Sequence, residues 1–140
     1  MRTLAAALAL AVLPCGSAFA QSTAYEQNWF RVTSGLMTLA GLTQLDPQKP
    51  APAAVAALKQ ATDDLEQSAS TLSRAVPPAP LAAAHVAFVP RVLMVVGAAR
   101  DCLHAVEASN SAEVRASLEW VDDTILRARR ALSLAGGGKL

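Results

Sequence analysis

The sequence contains little of the chemistry that most enzymes and metalloproteins need. Its 140 residues include two histidines, two cysteines and one tyrosine, and aromatic residues make up 4% of the chain. It has no Cys-x-x-Cys-His motif for covalent haem, no pair of Glu-x-x-His motifs for a di-iron site, and no glycine-rich loop for phosphate. We therefore predict that the protein is not an enzyme and that it has no cofactor.

The two histidines cannot share a metal ion within one chain. His85 and His104 are 19 residues apart, which is about 28 Å along a helix at 1.5 Å per residue. Cys102 and His104 differ by two positions, so on a helix they point in opposite directions. Met37 and Met94 are further ligands for a noncovalent haem. A bundle that binds a small ligand, haem or metal therefore stays the alternative interpretation.

No excess of charge of either sign is visible along the chain. The sequence has 12 Lys and Arg against 11 Asp and Glu, a formal net charge of +1. Nucleic-acid binders collect positive charge on one face, and no basic run suggests this here. We therefore predict that nucleic acid is not a partner.

The first part of the chain has the three-part layout of a secretory signal. Arg2 supplies a positive charge, an apolar run covers residues 4–13, and a small-residue cleavage site ends at Ala20. We predict a signal peptide over residues 1–20, cleavage after Ala20, and an exported protein in the periplasm or outside the cell. The alternative is a lipoprotein signal acylated at Cys15, and we expect membrane contact only in that case.

Helical periodicity accounts for the rest of the chain. Apolar residues recur at spacings of three and four, and prolines separate these stretches at positions 47, 50 and 52 and at 77, 78 and 80. The pattern predicts helices at residues 24–45, 53–76, 80–108 and 111–134. Because their connections are short, we predict an all-α, up-down-up-down four-helix bundle over residues 21–135, followed by a disordered tail at 136–140. A pair of helical hairpins that dimerises is the alternative architecture.

The third of these segments is the most apolar after the signal. Residues 81–99 are long enough to raise the question of a membrane span. His85, Pro90 and Arg91 interrupt the run, and the matching apolar edges of the other helices offer it partners. We therefore predict a central, buried helix of a soluble bundle, bent at Pro90.

His85 is a polar residue on the apolar edge of this helix. In an up-down-up-down bundle the first and third helices start at the same end, which places His85 near Tyr25 and Trp29. A buried unpaired imidazole is costly, so we predict a neutral His85 that is hydrogen-bonded to the Tyr25 hydroxyl. Cys102 lies on the same edge, and is either a buried apolar residue or the site of an intermolecular disulfide.

The connection before the third helix carries a resemblance to known proteins. Residues 77–85 read PPAPLAAAH, a Pro-Pro turn followed by Leu-x-x-Ala-His. This resembles a hinge in uncharacterised exported or lipid-anchored bacterial helical proteins, and the likeness extends from the end of the second helix through the third. It implies a small envelope bundle and supplies no substrate. Many such proteins carry a cysteine that anchors them to a lipid and follows a small residue. Here proline precedes the cysteine, at Pro14-Cys15, so the sequence departs from that pattern.

These observations together predict a noncatalytic, exported bundle of the bacterial envelope that acts as an interaction or structural module. A helical face or the aromatic end around Tyr25 and Trp29 would make the contact. The expected partner is an unknown protein or a second copy of the chain.

Overall fold

The computed structural model describes residues 15–136, and its side chains are described from residue 23 onward. Within this part, the chain forms four α-helices and no strand. They are α1 (Cys15–Leu42), α2 (Pro52–Arg74), α3 (Ala82–Glu107) and α4 (Ser111–Leu134), with a short 3-10 turn at Ala79–Leu81 before α3. Consecutive helices pack against each other in opposite directions, so the predicted all-α four-helix bundle is confirmed.

Proline, asparagine and glycine mark the ends of the later helices. α2 begins at Pro52, whose fixed φ suits a first helical turn, and ends where Ala75 adopts an extended backbone ahead of the Pro-Pro turn. The Asn110 side chain accepts a hydrogen bond from the Glu113 amide at 3.2 Å and caps α4. After α4, Gly136 adopts a φ of 74°, which glycine tolerates without strain.

The first helix differs most from its predicted bounds. α1 begins at Cys15 and continues through Ala20, so Thr23 lies inside the helix and does not cap it. It ends at Leu42, short of the predicted residue 45, and the Thr43 hydroxyl oxygen then lies 2.9 Å from the Ala40 carbonyl oxygen. Most of the predicted signal peptide lies outside the described residues, as does the predicted tail after Gly136.

α3 is the central wall of the core. It packs against both α2 and α4, and its Phe88 reaches Trp29 of α1, with the ring centroids 5.2 Å apart. Trp29 and Phe88 are buried, as predicted. Pro90 lies inside α3, and the helix continues through it to Glu107.

Two residues that fit the three-four apolar spacing, Val76 and Leu93, are exposed. Val76 is 89% exposed, because α2 ends at Arg74 and no longer directs this side chain inward. Leu93 is exposed because it lies on the outer side of α3. The segment Ala79–Glu107, which contains α3, is long and apolar enough to cross a membrane, with a mean hydropathy of 1.8 over its most apolar 18 residues. Only 39% of those residues are buried in the bundle. Packing within the bundle therefore accounts for only part of its apolarity.

Candidate functional site

Tyr25 of α1 and His85 of α3 meet at one end of the bundle. The Tyr25 Oη atom lies 2.9 Å from His85 Nδ1, which is the hydrogen bond that the sequence predicts. The Trp29 ring stacks on Tyr25 at a centroid distance of 5.9 Å and leads inward to Phe88. A continuous aromatic layer therefore joins α1 to α3 at this end.

Burial controls the protonation of this pair. Tyr25 is 3% exposed, and its loss of hydration raises the pKa of the hydroxyl to about 12. The hydroxyl therefore keeps its proton and donates it to Nδ1. Loss of hydration also lowers the pKa of His85 below its ordinary value of 6.5. The imidazole is therefore neutral at pH 7, with its proton on Nε2.

His85 is half-buried, whereas the sequence predicted burial on the core side. Its hydrogen bond connects α1 to α3, two helices whose backbones do not pack directly against each other over an extended surface. The pair places a protonated phenol beside a neutral imidazole. Its chemistry is that of a positioning contact between helices.

The other candidate ligands are separated from this pair. Cys102 is completely buried. Of the two alternatives, a buried apolar residue or an intermolecular disulfide, the structure agrees with the first. Burial also raises the pKa of the Cys102 thiol, which keeps it protonated. His104 is exposed on the opposite side of α3. Over the described residues, no group of three or more His, Cys, Asp or Glu side chains could hold a metal ion.

The fold separates charges that are mixed along the sequence. We name the half of the bundle around the Tyr25–His85 pair the basic end. α3 begins in this half, α2 and α4 finish in it, and its described residues include six arginines with at least three carboxylates among them: Glu26, Asp64 beside Arg31, and Asp123, which pairs with Arg127. The six arginines are Arg31, Arg74, Arg91, Arg127, Arg129 and Arg130.

The other half, which we name the acidic end, has the opposite balance. Its described residues include five carboxylates and two cations away from the middle of the bundle. The carboxylates are Asp46, Asp101, Glu107, Glu113 and Glu119, and the cations are Lys49 and Arg115. The sequence analysis missed this separation, because antiparallel helices bring together arginines that lie far apart in the chain.

Ion pairs neutralise the charges near the middle of the bundle. Arg100 of α3 contacts Glu66 and lies 2.9 Å from Asp63, both on α2, and Lys59 also reaches Asp63 at 2.8 Å. The hydrogen bond from Lys59, together with the charges of Lys59 and Arg100, holds the pKa of Asp63 below its ordinary value. On the neighbouring side, the Thr43 hydroxyl donates to Asp122 at 2.7 Å. Asp122 therefore connects α4 to the residue that follows α1.

A groove of about 440 Å³ opens between α3 and α4 at the basic end. Its walls combine cationic and apolar side chains, among them Arg91, Arg127, Arg130, Pro90, Met94 and Leu134. Arg127 pairs with Asp123 at 2.7 Å and lies over the Trp120 ring at 5.8 Å. Within the described residues, Arg91, Arg129 and Arg130 take part in none of the ion pairs, so their charges remain available.

Large apolar side chains are exposed among these arginines. Val86 at the start of α3 is 72% exposed, Leu134 at the end of α4 is 83% exposed, and Phe30 on α1 is also largely exposed. Val76 projects from the turn that joins α2 to α3. The basic end is therefore amphiphilic as well as cationic.

Comparisons with known protein families, characterised proteins and solved structures gave no match to this chain. The candidate site therefore consists of the neutral, hydrogen-bonded Tyr25–His85 pair inside the basic end and the cationic, partly apolar surface around it.

Proposed function

We propose that this protein is a noncatalytic, exported interaction module of the bacterial envelope and that it acts through its basic end. The observation that carries the proposal is the collection of six arginines and several exposed large apolar side chains in one half of the bundle. Arginine and large apolar residues are enriched in binding interfaces.

Three observations support a noncatalytic role. His85 is neutral and occupied by Tyr25, Cys102 is buried as a protonated thiol, and His104 is exposed away from both. None of these groups is placed to activate another. The signal-like layout of residues 1–20 supports export.

Cell fractionation tests this proposal with a pair of matched variants. Arg129→Gln/Arg130→Gln removes two positive charges from the basic end, and Lys49→Gln/Arg115→Gln removes two from the acidic end. All four side chains are exposed, so both variants should fold. We expect the native protein and the acidic-end variant to sediment with the cell envelope, and the basic-end variant to move to the soluble periplasmic fraction.

Two results would contradict the proposal. Equal sedimentation of both variants would show that the basic end is not the binding surface. Recovery of the protein in the cytoplasm would show that it is not exported. The alternative of a ligand-binding bundle has its own readout, because protein purified from the envelope would then carry a haem absorbance band or a stoichiometric metal.

A further inference from the structure

We infer that the basic end binds the anionic lipid surface of a membrane, so that the bundle stands on the headgroups with its acidic end turned away. This inference names the partner of the surface in the proposed function and rests on that proposal. The sequence alone allowed membrane contact only through acylation at Cys15. The structure offers a second route that needs no acyl group.

Three arginines of the basic end are free to contact a phosphate group. Arg91, Arg129 and Arg130 take part in no ion pair within the described residues and are exposed on α3 and α4. A guanidinium group is planar and binds phosphate oxygens through two parallel hydrogen bonds. Lipid headgroups present such phosphates at high density. The acidic end would be repelled by the same surface, which favours one orientation of the bundle.

Exposed apolar side chains lie in the same half of the bundle. Val76 lies in the turn between α2 and α3, Val86 in the first turns of α3, and Leu134 at the last residue of α4. All three lie at or near helix ends in this half of the bundle, and they are exposed by 89%, 72% and 83%. Projecting apolar groups among cations suit the boundary between headgroups and acyl chains. A nucleic acid presents phosphates without an apolar layer beneath them.

The path of the chain also points to the basic end. α1 is already helical at Cys15, upstream of Tyr25, so the segment that precedes Tyr25 reaches the bundle at its basic end. The apolar run at residues 4–13 comes before that segment in the sequence. The predicted cleavage after Ala20 removes the run, but in the alternative case an acyl group at Cys15 would attach the chain from the side on which the arginines lie. The charge pattern and the chain path agree on which end faces the membrane.

Vesicle sedimentation tests the inference directly. The protein is purified from the cell envelope in the form that the cell produces, and its N-terminus is determined by mass spectrometry. It is then mixed with vesicles of phosphatidylcholine alone, or of phosphatidylcholine with phosphatidylglycerol. A short DNA duplex serves as a polyanion without an apolar layer. The variants are Arg129→Gln/Arg130→Gln and the matched control Lys49→Gln/Arg115→Gln.

We expect tighter binding to the phosphatidylglycerol vesicles than to phosphatidylcholine, and weaker binding as salt is added. A basic residue near an anionic surface changes the partition coefficient about fivefold, so loss of two arginines should weaken binding about 30-fold. The control variant should bind as the native protein does. Replacing the exposed Leu134 with serine should weaken binding further without affecting folding.

Equal binding to both kinds of vesicle, or an equal loss in the control variant, would overturn the inference. Binding to DNA without binding to vesicles would also overturn it. If vesicles do not bind but envelope sedimentation in cells still depends on Arg129 and Arg130, the proposed function stands and its partner is a protein. If neither depends on them, both proposals are wrong.

Discussion

Removal of the hydrogen bond between Tyr25 and His85 should destabilise the bundle by an amount that a double-mutant cycle can isolate. Tyr25→Phe keeps the ring and its stacking on Trp29 but removes the hydroxyl. His85→Leu removes the acceptor and leaves the Tyr25 hydroxyl, on a residue 3% exposed, without its partner. The combined variant replaces both polar groups with apolar ones.

The three variants should differ in a defined order. Tyr25→Phe should lower the free energy of unfolding by about 1 kcal/mol, the usual net value of one hydrogen bond, because water can reach the half-buried imidazole. His85→Leu should cost about 1–2 kcal/mol, because a buried hydroxyl loses its partner while leucine adds some apolar contact. In the combined variant that hydroxyl is gone, so its cost should be below the sum of the two single costs by about 1 kcal/mol.

Urea unfolding followed by circular dichroism measures these differences at pH 7. For a domain of this size, 1 kcal/mol corresponds to about 4 °C in the thermal midpoint. Costs that add within about 0.3 kcal/mol would refute the reasoning, because the two side chains would then be energetically independent. So would a His85→Leu protein that is as stable as the native one.

Three further predictions follow from burial and backbone geometry. The Cys102 thiol should react with a thiol reagent only after unfolding, and a nonreducing gel of native protein should show no disulfide dimer; rapid labelling of folded protein would contradict its burial. Gly97→Ala should raise the free energy of unfolding by about 0.5–1 kcal/mol, because a helical Cβ there meets nothing within 4 Å. Gly35→Ala should raise the free energy of unfolding less than Gly97→Ala does, because its Cβ would lie 3.2 Å from Leu65 Cδ1. Equal increases for the two variants would contradict this reasoning. As pH falls below 6.5, the unfolded chain should take up a proton at His85 before the folded one does, so the urea midpoint should fall; the His85→Leu variant should lack this component.

Periodicity was sufficient to predict the contact between Tyr25 and His85. The apolar spacing set which face of each helix turns inward, and the short connections set which helix ends lie together. Together, the inward faces and the short connections require that Tyr25 and His85 lie at the same end of the bundle. The same reasoning placed Cys102 on the inner face of α3, where it is buried.

Boundaries and polar contacts were predicted less well, because they depend on more than local pattern. Val76 fits the apolar spacing of α2, but the chain leaves the helix before it on approaching the prolines. Asp122 has the sequence context of a solvated residue and acquires the Thr43 hydroxyl only through the packing of α1 near α4. The contacts of Arg100 with Asp63 and Glu66 likewise require the packing of α3 against α2.

Local sequence pattern was enough to predict the four helical segments, their antiparallel order and most of the residues that form the core. These properties follow from local spacing, from prolines that cannot continue a helix, and from connections too short for any other path. Only the tertiary structure decided which charges and apolar side chains share a surface. Arginines from four segments gather at one end because alternate helices run in opposite directions. The uncovered side of α3 appears only when α2 and α4 have been packed against it.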